Sequence, residues 1–179
     1  MNSPFVFDVA ALLRGNGLPE NLRKSGPSPA RIGPEMIAIP EGATVDVDAH
    51  LIPLGGGISV QATIQAQLKG QCSRCLRELS PHTSLNVSEV FAVDDDFITG
   101  EVDENEDELP KVNQDAIDLL QAVIDEAGLE LPFNPICTEL GFESCDDSEV
   151  PEPDGSVEEA GDTDEAAVDP RWAGLEKFL

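Results

Sequence analysis

The fold of this chain is decided by residues 44–93, which read TVDVDAHLIPLGGGISVQATIQAQLKGQCSRCLRELSPHTSLNVSEVFAV. Apolar and polar residues alternate over 44–53 and 58–68, and again over 83–93. This period of two is typical of strands that bury one face. Three glycines separate the first two stretches, and the segment CSRCLRELSP separates the second from the third. The pattern predicts an antiparallel meander of three strands with a CxxC pair at its second bend.

The chain before the meander is harder to interpret. Residues 5–13 fit a strand or a short helix, and we favour a strand that ends near Ala10. Residues 14–35 are rich in Gly, Pro, Asn and Ser and have no periodic apolar face. We therefore predict a long loop over residues 14–35.

Two helices are predicted after the meander. Asn113 is expected to cap the main helix, whose apolar residues recur at helical spacing, and Gly128 is expected to end it. Asp169 and Pro170 are typical of a helix start, so a short C-terminal helix over 169–179 is expected to dock on the sheet. The predicted fold class is α+β, with one antiparallel sheet and few helices.

Charge divides the chain into regions of different character. Its 179 residues carry 36 acidic and 10 basic side chains, a formal net charge of -26. Nine acids and no base lie in residues 94–108, and twelve acids and no base lie in residues 143–169. Blocks of like charge repel and stay solvated. We therefore predict a folded domain over 1–142 with an acidic loop at 94–108, an acidic disordered linker over 143–168 and the docking helix over 169–179.

Composition also excludes classes of protein. The chain is 4% aromatic and lacks Tyr, which argues against a stacked aromatic face for single-stranded nucleic acid. It begins without a signal-peptide pattern, and no apolar run approaches the roughly 20 residues that span a bilayer. We expect a cytoplasmic protein with no membrane partner.

Four cysteines form the clearest candidate site. Cys72 and Cys75 have the CxxC spacing that lets two thiolates reach one ion, and Cys137 and Cys145 could complete a tetrahedral zinc site. Structural disulfides are rare in a reducing cytoplasm, which favours metal binding. The alternative is four free thiols that pack as small hydrophobic groups.

Basic residues around the CxxC pair suggest a nucleic-acid contact. Lys69, Arg74 and Arg77 lie within nine residues, and a metal-rigidified turn with three cations could contact phosphate. Intramolecular pairing with the many carboxylates is the alternative. Three further cations of the predicted loop could extend this patch: Arg23, Lys24 and Arg31.

Catalysis finds little support in the sequence. His50 and His82 have no evident nucleophile beside them, and no nucleotide-binding glycine motif is present. We expect a protein that is not an enzyme and has no small-molecule substrate.

The order of these features resembles the YceD family, the large ribosomal RNA subunit accumulation proteins of bacteria and plastids. The motifs that carry the resemblance are, in chain order, CSRCL, AIDLLQAVIDEAGLELP, NPIC and DPRWAGLEKF. The resemblance implies a non-enzymatic role in the accumulation of large-subunit ribosomal RNA, hence in ribosome biogenesis, in a bacterial cytoplasm.

Two functions fit these features. The protein could contact large-subunit ribosomal RNA or a pre-ribosomal particle through the basic CxxC turn. Alternatively, it could be an acidic chaperone or docking protein for a basic ribosomal protein. Binding to isolated RNA, compared with binding to isolated ribosomal proteins, would separate the two.

Overall fold

Short elements and three small sheets build the part of the chain that the computed structural model describes, which is residues 3–14, 17–93, 109–142 and 144–145. The described residues all belong to one unit, Met1–Glu149. The strands and helices are, in chain order, β1 (Val6–Asp8), α1 (Ala10–Arg14), β2 (Glu20–Pro27), β3 (Ile37–Ala38), β4 (Thr44–Pro53), β5 (Gly57–Gln67), β6 (Lys69–Gln71), β7 (Glu78–Leu79), β8 (His82–Ala92), β9 (Ala116–Asp118), α2 (Leu120–Glu130) and a 3-10 helix (Cys137–Leu140).

The largest sheet has four antiparallel strands in the order β2, β4, β5, β8. Across it, Val47 lies opposite Ile64, and Ile64 lies opposite Leu85. The predicted meander is therefore confirmed as β4, β5 and β8, with the CxxC turn between β5 and β8. The predicted α+β class is also confirmed.

One face of this sheet forms the core. Alternate residues of β4 and β5 are buried, as their sequence pattern predicts. They pack in one apolar cluster with residues of β1, β9 and α2, among them Phe7, Ile117 and Val123. The opposite face carries polar side chains such as His50, whose Nδ1 lies 2.7 Å from Asn21 Oδ1.

The prediction of a loop over residues 14–35 is wrong in its middle. Residues 20–27 form β2, which pairs along its whole length with β4 at the edge of the sheet. The strand has little apolar alternation because Lys24 occupies an inward position, where its Nζ donates to the Val6 carbonyl and lies 5.2 Å from the Phe7 ring centroid. An edge strand also tolerates the Pro27 that ends it.

The main helix starts later and ends later than predicted. Asn113 does not cap it, because Gln114 and Asp115 adopt left-handed φ angles of 50° and 58° and turn the chain into β9. Helix α2 begins at Leu120. Gly128 lies inside the helix, which ends at Glu130, where Leu131 becomes extended ahead of a proline.

The first segment combines both structures that its sequence suggested. Residues 6–8 form β1, antiparallel to β9, and α1 follows from Ala10. Asp8 Oδ1 accepts a hydrogen bond from the Ala10 N–H at 2.9 Å, so the chain passes directly from strand to helix. The predicted end of the strand near Ala10 is close to the observed one.

The remaining predictions of organisation lie outside the described residues. These are the acidic loop at 94–108, nearly all of the linker at 143–168 and the helix at 169–179. Within the described residues, no helix has both the length and the apolar character needed to cross a membrane.

Candidate metal centre

The first half of the site is the turn at residues 72–77, here called the first knuckle. It joins β6 to β7, which extend beyond the ends of β5 and β8. The Cys72 N–H donates to the Arg77 carbonyl at 2.9 Å, and the Leu76 N–H donates to the Cys72 carbonyl at 3.0 Å. Leu76 has a left-handed φ of 58°, which turns the chain back after Cys75. The CxxC spacing thus places two sulfurs on one tight turn.

The second half is the segment 137–145, here called the second knuckle. Cys137 starts the 3-10 helix, and Gly141 ends it at a φ of 85°. The Phe142 N–H donates to the Cys137 carbonyl at 3.0 Å, which returns the chain toward Cys145. In the sequence, Cys137 and Cys145 are spaced more widely than a usual pair of zinc ligands. The structure explains the spacing, because the residues between them form a turn that ends at Gly141.

Hydrogen bonds join the first knuckle to the second knuckle and to the segment just before it. The Ser73 N–H donates to the Pro135 carbonyl at 2.8 Å, and Arg77 Nη1 donates to the Ser144 carbonyl at 3.3 Å. Sequence reasoning missed both hydrogen bonds, because nothing local signals a partner so far along the chain. They bring residues from distant parts of the chain to one centre.

The four sulfurs lie together at this centre. Cys72 Sγ lies 3.7 Å from Cys145 Sγ, and Cys75 Sγ lies 3.5 Å from Cys137 Sγ. All four sulfurs lie within 4.8 Å of one another. A tetrahedral zinc with Zn–S bonds of about 2.3 Å separates its sulfurs by roughly 3.8 Å. The residues present therefore fit a four-thiolate metal site in both donor type and spacing.

Burial and local hydrogen bonds shift the thiol pKa values in opposite directions. Burial alone raises the pKa of Cys72, but hydrogen bonds from the backbone of Cys75, Arg74 and Cys137 outweigh it and lower the pKa to about 6. Burial and hydrogen bonds with neighbouring thiols raise the pKa of Cys137 to about 12. Burial also raises the pKa of Cys145. The backbone of the site therefore stabilises negative charge on the Cys72 sulfur, as metal coordination requires.

Little apolar surface supports the two knuckles. Their own core consists of Cys72, Leu79 and Cys137, with Ile136 and Leu140 partly buried against it. A core of this size is too small to fix two irregular turns by apolar burial alone. The sulfur cluster is thus the main feature that can hold the knuckles together.

The basic residues predicted as a nucleic-acid patch do not all lie at one place. Lys69 is exposed on β6, and Arg77 joins the two knuckles. Arg31 lines the same cleft as Lys69, of about 570 Å³, and its guanidinium donates to the carbonyls of Gly33, Pro34 and Glu35.

The other two predicted cations lie on β2, in the four-stranded sheet. Arg23 pairs with Asp48 on the polar face of the sheet, and Lys24 contacts β1. Lys69, Arg74 and Arg77 thus lie around the first knuckle, Arg31 lies beside it, and Arg23 and Lys24 do not join them.

Fold and site together define a class: a small α+β domain, built on antiparallel sheets, that carries a paired cysteine knuckle. The sequence model of the family described as large ribosomal RNA subunit accumulation protein YceD matches residues 60–179. This chain belongs to the YceD family.

Mycobacterial relatives match nearly the whole chain. The uncharacterized protein Rv2926c of Mycobacterium tuberculosis is 39% identical over 177 residues, which cover 99% of this chain and 82% of that protein. The uncharacterized protein ML1660 of Mycobacterium leprae is 34% identical over 181 residues, covering 99% of this chain and 78% of that protein. No solved structure matches.

Proposed function

We propose that this protein is a non-enzymatic factor that supports the accumulation of large-subunit ribosomal RNA and that it contacts this RNA through the first knuckle. The family description supplies the role in RNA accumulation. The observation that carries the contact is the sulfur cluster, which fixes the first knuckle with Arg74 and Arg77 and the end of β6 with Lys69. From residue 69 to residue 77 there is no acidic side chain. The chain as a whole has a net charge of -26. The stretch 69–77, with three cations and no acid, instead carries local positive charge, which suits contact with a phosphate backbone.

Zinc is the metal we propose for the cluster. Four thiolates in a tetrahedron are a usual structural zinc set, and such closed sites leave no open position for catalysis. When bound, the ion would cross-link the two knuckles through Cys72, Cys75, Cys137 and Cys145. Its role here is to keep the cationic turn in one conformation, which lowers the entropy cost of binding.

A charge-matched pair of variants tests the RNA contact. The first changes Lys69, Arg74 and Arg77 to Ala, and the control changes Arg14, Arg23 and Lys111 to Ala. Both remove three positive charges, but only the first removes them from the knuckle and from the strand that leads into it. We expect the first variant to bind a large-subunit ribosomal RNA transcript more weakly. The slope of log affinity against log salt should fall by about one for each phosphate that the variant no longer binds. Equal binding by both variants would reject the knuckle as the contact.

A specific observation favours a second candidate, an acidic docking protein for a basic ribosomal protein. Several cations are already engaged inside the described part of the chain. Arg14 pairs with Asp115 at 2.6 Å, Arg23 pairs with Asp48, and Arg31 donates to three backbone carbonyls. These contacts reduce the positive charge that the described residues offer to RNA, whereas the whole chain carries 36 acidic against 10 basic residues.

Direct binding measurements separate the two functions. The full chain is titrated with isolated large-subunit ribosomal proteins and, separately, with the RNA transcript. A docking protein binds the basic proteins, and deletion of residues 149–165 weakens that binding because it removes eight acids. An RNA-contacting factor binds the transcript and is insensitive to the deletion.

A further inference from the structure

Two close sulfur contacts in the cluster each join one knuckle to the other. Cys72 Sγ of the first knuckle lies 3.7 Å from Cys145 Sγ of the second. Cys75 Sγ of the first knuckle lies 3.5 Å from Cys137 Sγ of the second. An S–S bond of about 2.05 Å forms from either contact once the two sulfurs approach by roughly 1.5 Å. The positions of the sulfurs therefore favour disulfides between the knuckles.

Each of these contacts pairs a half-buried cysteine with a buried one. Cys75 and Cys145 are half-buried, whereas Cys72 and Cys137 are buried. A peroxide oxidises a thiolate that it can reach to a sulfenic acid, which condenses with a neighbouring thiol to a disulfide. Each pair therefore combines a cysteine that is accessible to an oxidant with a second cysteine positioned to resolve the sulfenic acid.

The pattern of pairing decides whether the knuckles stay together once the ion has left. Their own apolar core is small, so they need a cross-link to keep their structure. Disulfides within each knuckle would leave the two knuckles without one. Disulfides between the knuckles instead replace the bonds through the metal with covalent bonds that join the same residues.

We propose that hydrogen peroxide converts the sulfur cluster into two disulfides, Cys72–Cys145 and Cys75–Cys137, which release the zinc but keep the two knuckles joined. The release of zinc rests on the proposed function of the cluster, whereas the pairing rests on the positions of the sulfurs. The site is then a redox-sensitive one, in which oxidation exchanges a metal cross-link for a covalent cross-link. The first knuckle keeps its conformation in both states.

Each disulfide forms in two steps that consume one molecule of peroxide. The thiolate of the half-buried cysteine attacks a peroxide oxygen, the O–O bond breaks, and a sulfenic acid and a hydroxide ion form. The thiolate of the buried cysteine then attacks the sulfenic sulfur, the S–S bond forms, and the S–O bond breaks to release a second hydroxide ion. The four thiolates thus give four electrons to two peroxide molecules. The zinc ion loses its thiolate ligands and leaves as the aqueous dication.

The test maps the disulfides of the full chain after oxidation. The zinc-bound protein is treated with hydrogen peroxide, free thiols are blocked with N-ethylmaleimide, and the chain is digested with trypsin and then pepsin. Cleavage after Arg74 separates the two cysteines of the first knuckle, and cleavage at Phe142 separates those of the second. Mass spectrometry then identifies which cysteines are joined. A chromogenic chelator measures the zinc that is released.

We expect bound zinc to fall from about one ion per chain to near zero as the two disulfides between the knuckles form. The Ser73 N–H donates to the Pro135 carbonyl just before the second knuckle, so its hydrogen exchange reports whether the knuckles stay joined. This exchange should be at least about tenfold slower in the oxidised protein than in reduced protein from which a chelator has removed the zinc.

A variant tests the pairing independently. Cys145→Ser removes the partner of Cys72, so peroxide should still join Cys75 to Cys137 and leave Cys72 as a blocked thiol. Pairing within the knuckles would instead join Cys72 to Cys75 in this variant. The matched control is Ser144→Ala, which retains all four sulfurs and should give the same two disulfides as the native protein.

Other outcomes overturn the proposal in distinguishable ways. Disulfides within the knuckles, thiols that do not react, or sulfinic acids in place of disulfides would each reject the proposed oxidation. The expected disulfides with a Ser73 amide that exchanges as fast as in the reduced zinc-free protein would show that the covalent bonds do not hold the knuckles together. Purified protein that lacks zinc yet forms both expected disulfides would reject the metal and support the pairing.

Discussion

The four-stranded sheet and the pair of knuckles are held together by different forces. Among the described residues, the sheet belongs to a core of 25 buried apolar residues, whereas the core of the knuckles has three, two of which are cysteines. At about 25 cal/mol per Å² of buried apolar surface, the core of the sheet is large enough to stabilise the sheet, whereas the core of the knuckles is too small to stabilise the knuckles. The difference predicts that the ion proposed for the four sulfurs would decide the structure of the knuckles and leave most of the sheet unaffected.

Removal of the metal site should therefore give the largest effect, confined to the knuckles. We expect Cys72→Ser to reduce the zinc content from about one per chain to near zero, because structural zinc contributes roughly 10 kcal/mol or more in small domains. The amides of Cys72 and Ser73 should lose protection from hydrogen exchange, while Val60 and Ile64 keep theirs. The matched control is Ser73→Ala, which retains all four sulfurs. Native-like zinc in the Cys72 variant would contradict the four-sulfur site.

A core substitution should give the reverse pattern. Ile64 is fully buried and lies between Val47 and Leu85 across the sheet. We expect Ile64→Ala to lower the free energy of unfolding by about 2 to 5 kcal/mol, because it reduces apolar burial and leaves a cavity. Zinc content per folded chain should not change. Loss of zinc together with stability would show that the two regions unfold as one unit.

The sequence predicts some elements better than others, because some are signalled by neighbouring residues and others depend on contacts with distant parts of the chain. The meander was predictable because alternation in residues 44–68 is a local signal of a half-buried strand. Strand β2 was not, because its inward position holds Lys24, whose Nζ lies over the Phe7 ring where an apolar residue would be expected. Helix propensity likewise cannot show that Gln114 and Asp115 adopt left-handed φ angles, which turn the chain before α2 begins.

The site divides in the same way. The CxxC pair can be recognised from its spacing in the sequence. Whether Cys137 and Cys145 lie close to that pair depends on the turn that ends at Gly141. The exposure of Phe133 and Phe142 was not predictable either, because an apolar residue in sequence is by default assigned to the core. Tertiary contacts decide both cases, and these contacts are long-range.

The junction between the two regions gives a smaller predicted effect. Gly70 lies on β6 opposite Ile37 of β3. A Cβ at this position would collide with the Met36 carbonyl oxygen and lie 2.8 Å from Ile37 Cα. Both of these neighbouring atoms belong to the backbone, so the strands must separate to accept a methyl group. We expect Gly70→Ala to destabilise the protein by about 1 to 3 kcal/mol in denaturant unfolding.

A second glycine provides the control for that measurement. Gly128 lies in α2, where an added Cβ meets nothing within 4 Å. Gly128→Ala should stabilise the protein by about 0.5 to 1 kcal/mol, because alanine favours helix and restricts the unfolded chain. Equal effects of the two substitutions would show that the contact between β3 and β6 adapts to a side chain.

The smallest effect is expected at Leu76, within the first knuckle. Its φ of 58° costs an L-residue about 1 to 2 kcal/mol, and glycine adopts this angle freely. The side chain is 66% exposed, so Leu76→Gly removes little buried surface. Glycine also gives the unfolded chain more entropy, a cost of about 0.5 to 1 kcal/mol. The net result should be stabilisation by about 0.5 kcal/mol in chemical unfolding of the zinc-bound protein. Leu54→Gly is the control: Leu54 is exposed but has no left-handed φ, so the same replacement should destabilise the protein. If both variants lose stability equally, the left-handed φ of Leu76 carries no measurable strain. The conformation of the first knuckle would then cost less free energy than this φ angle implies.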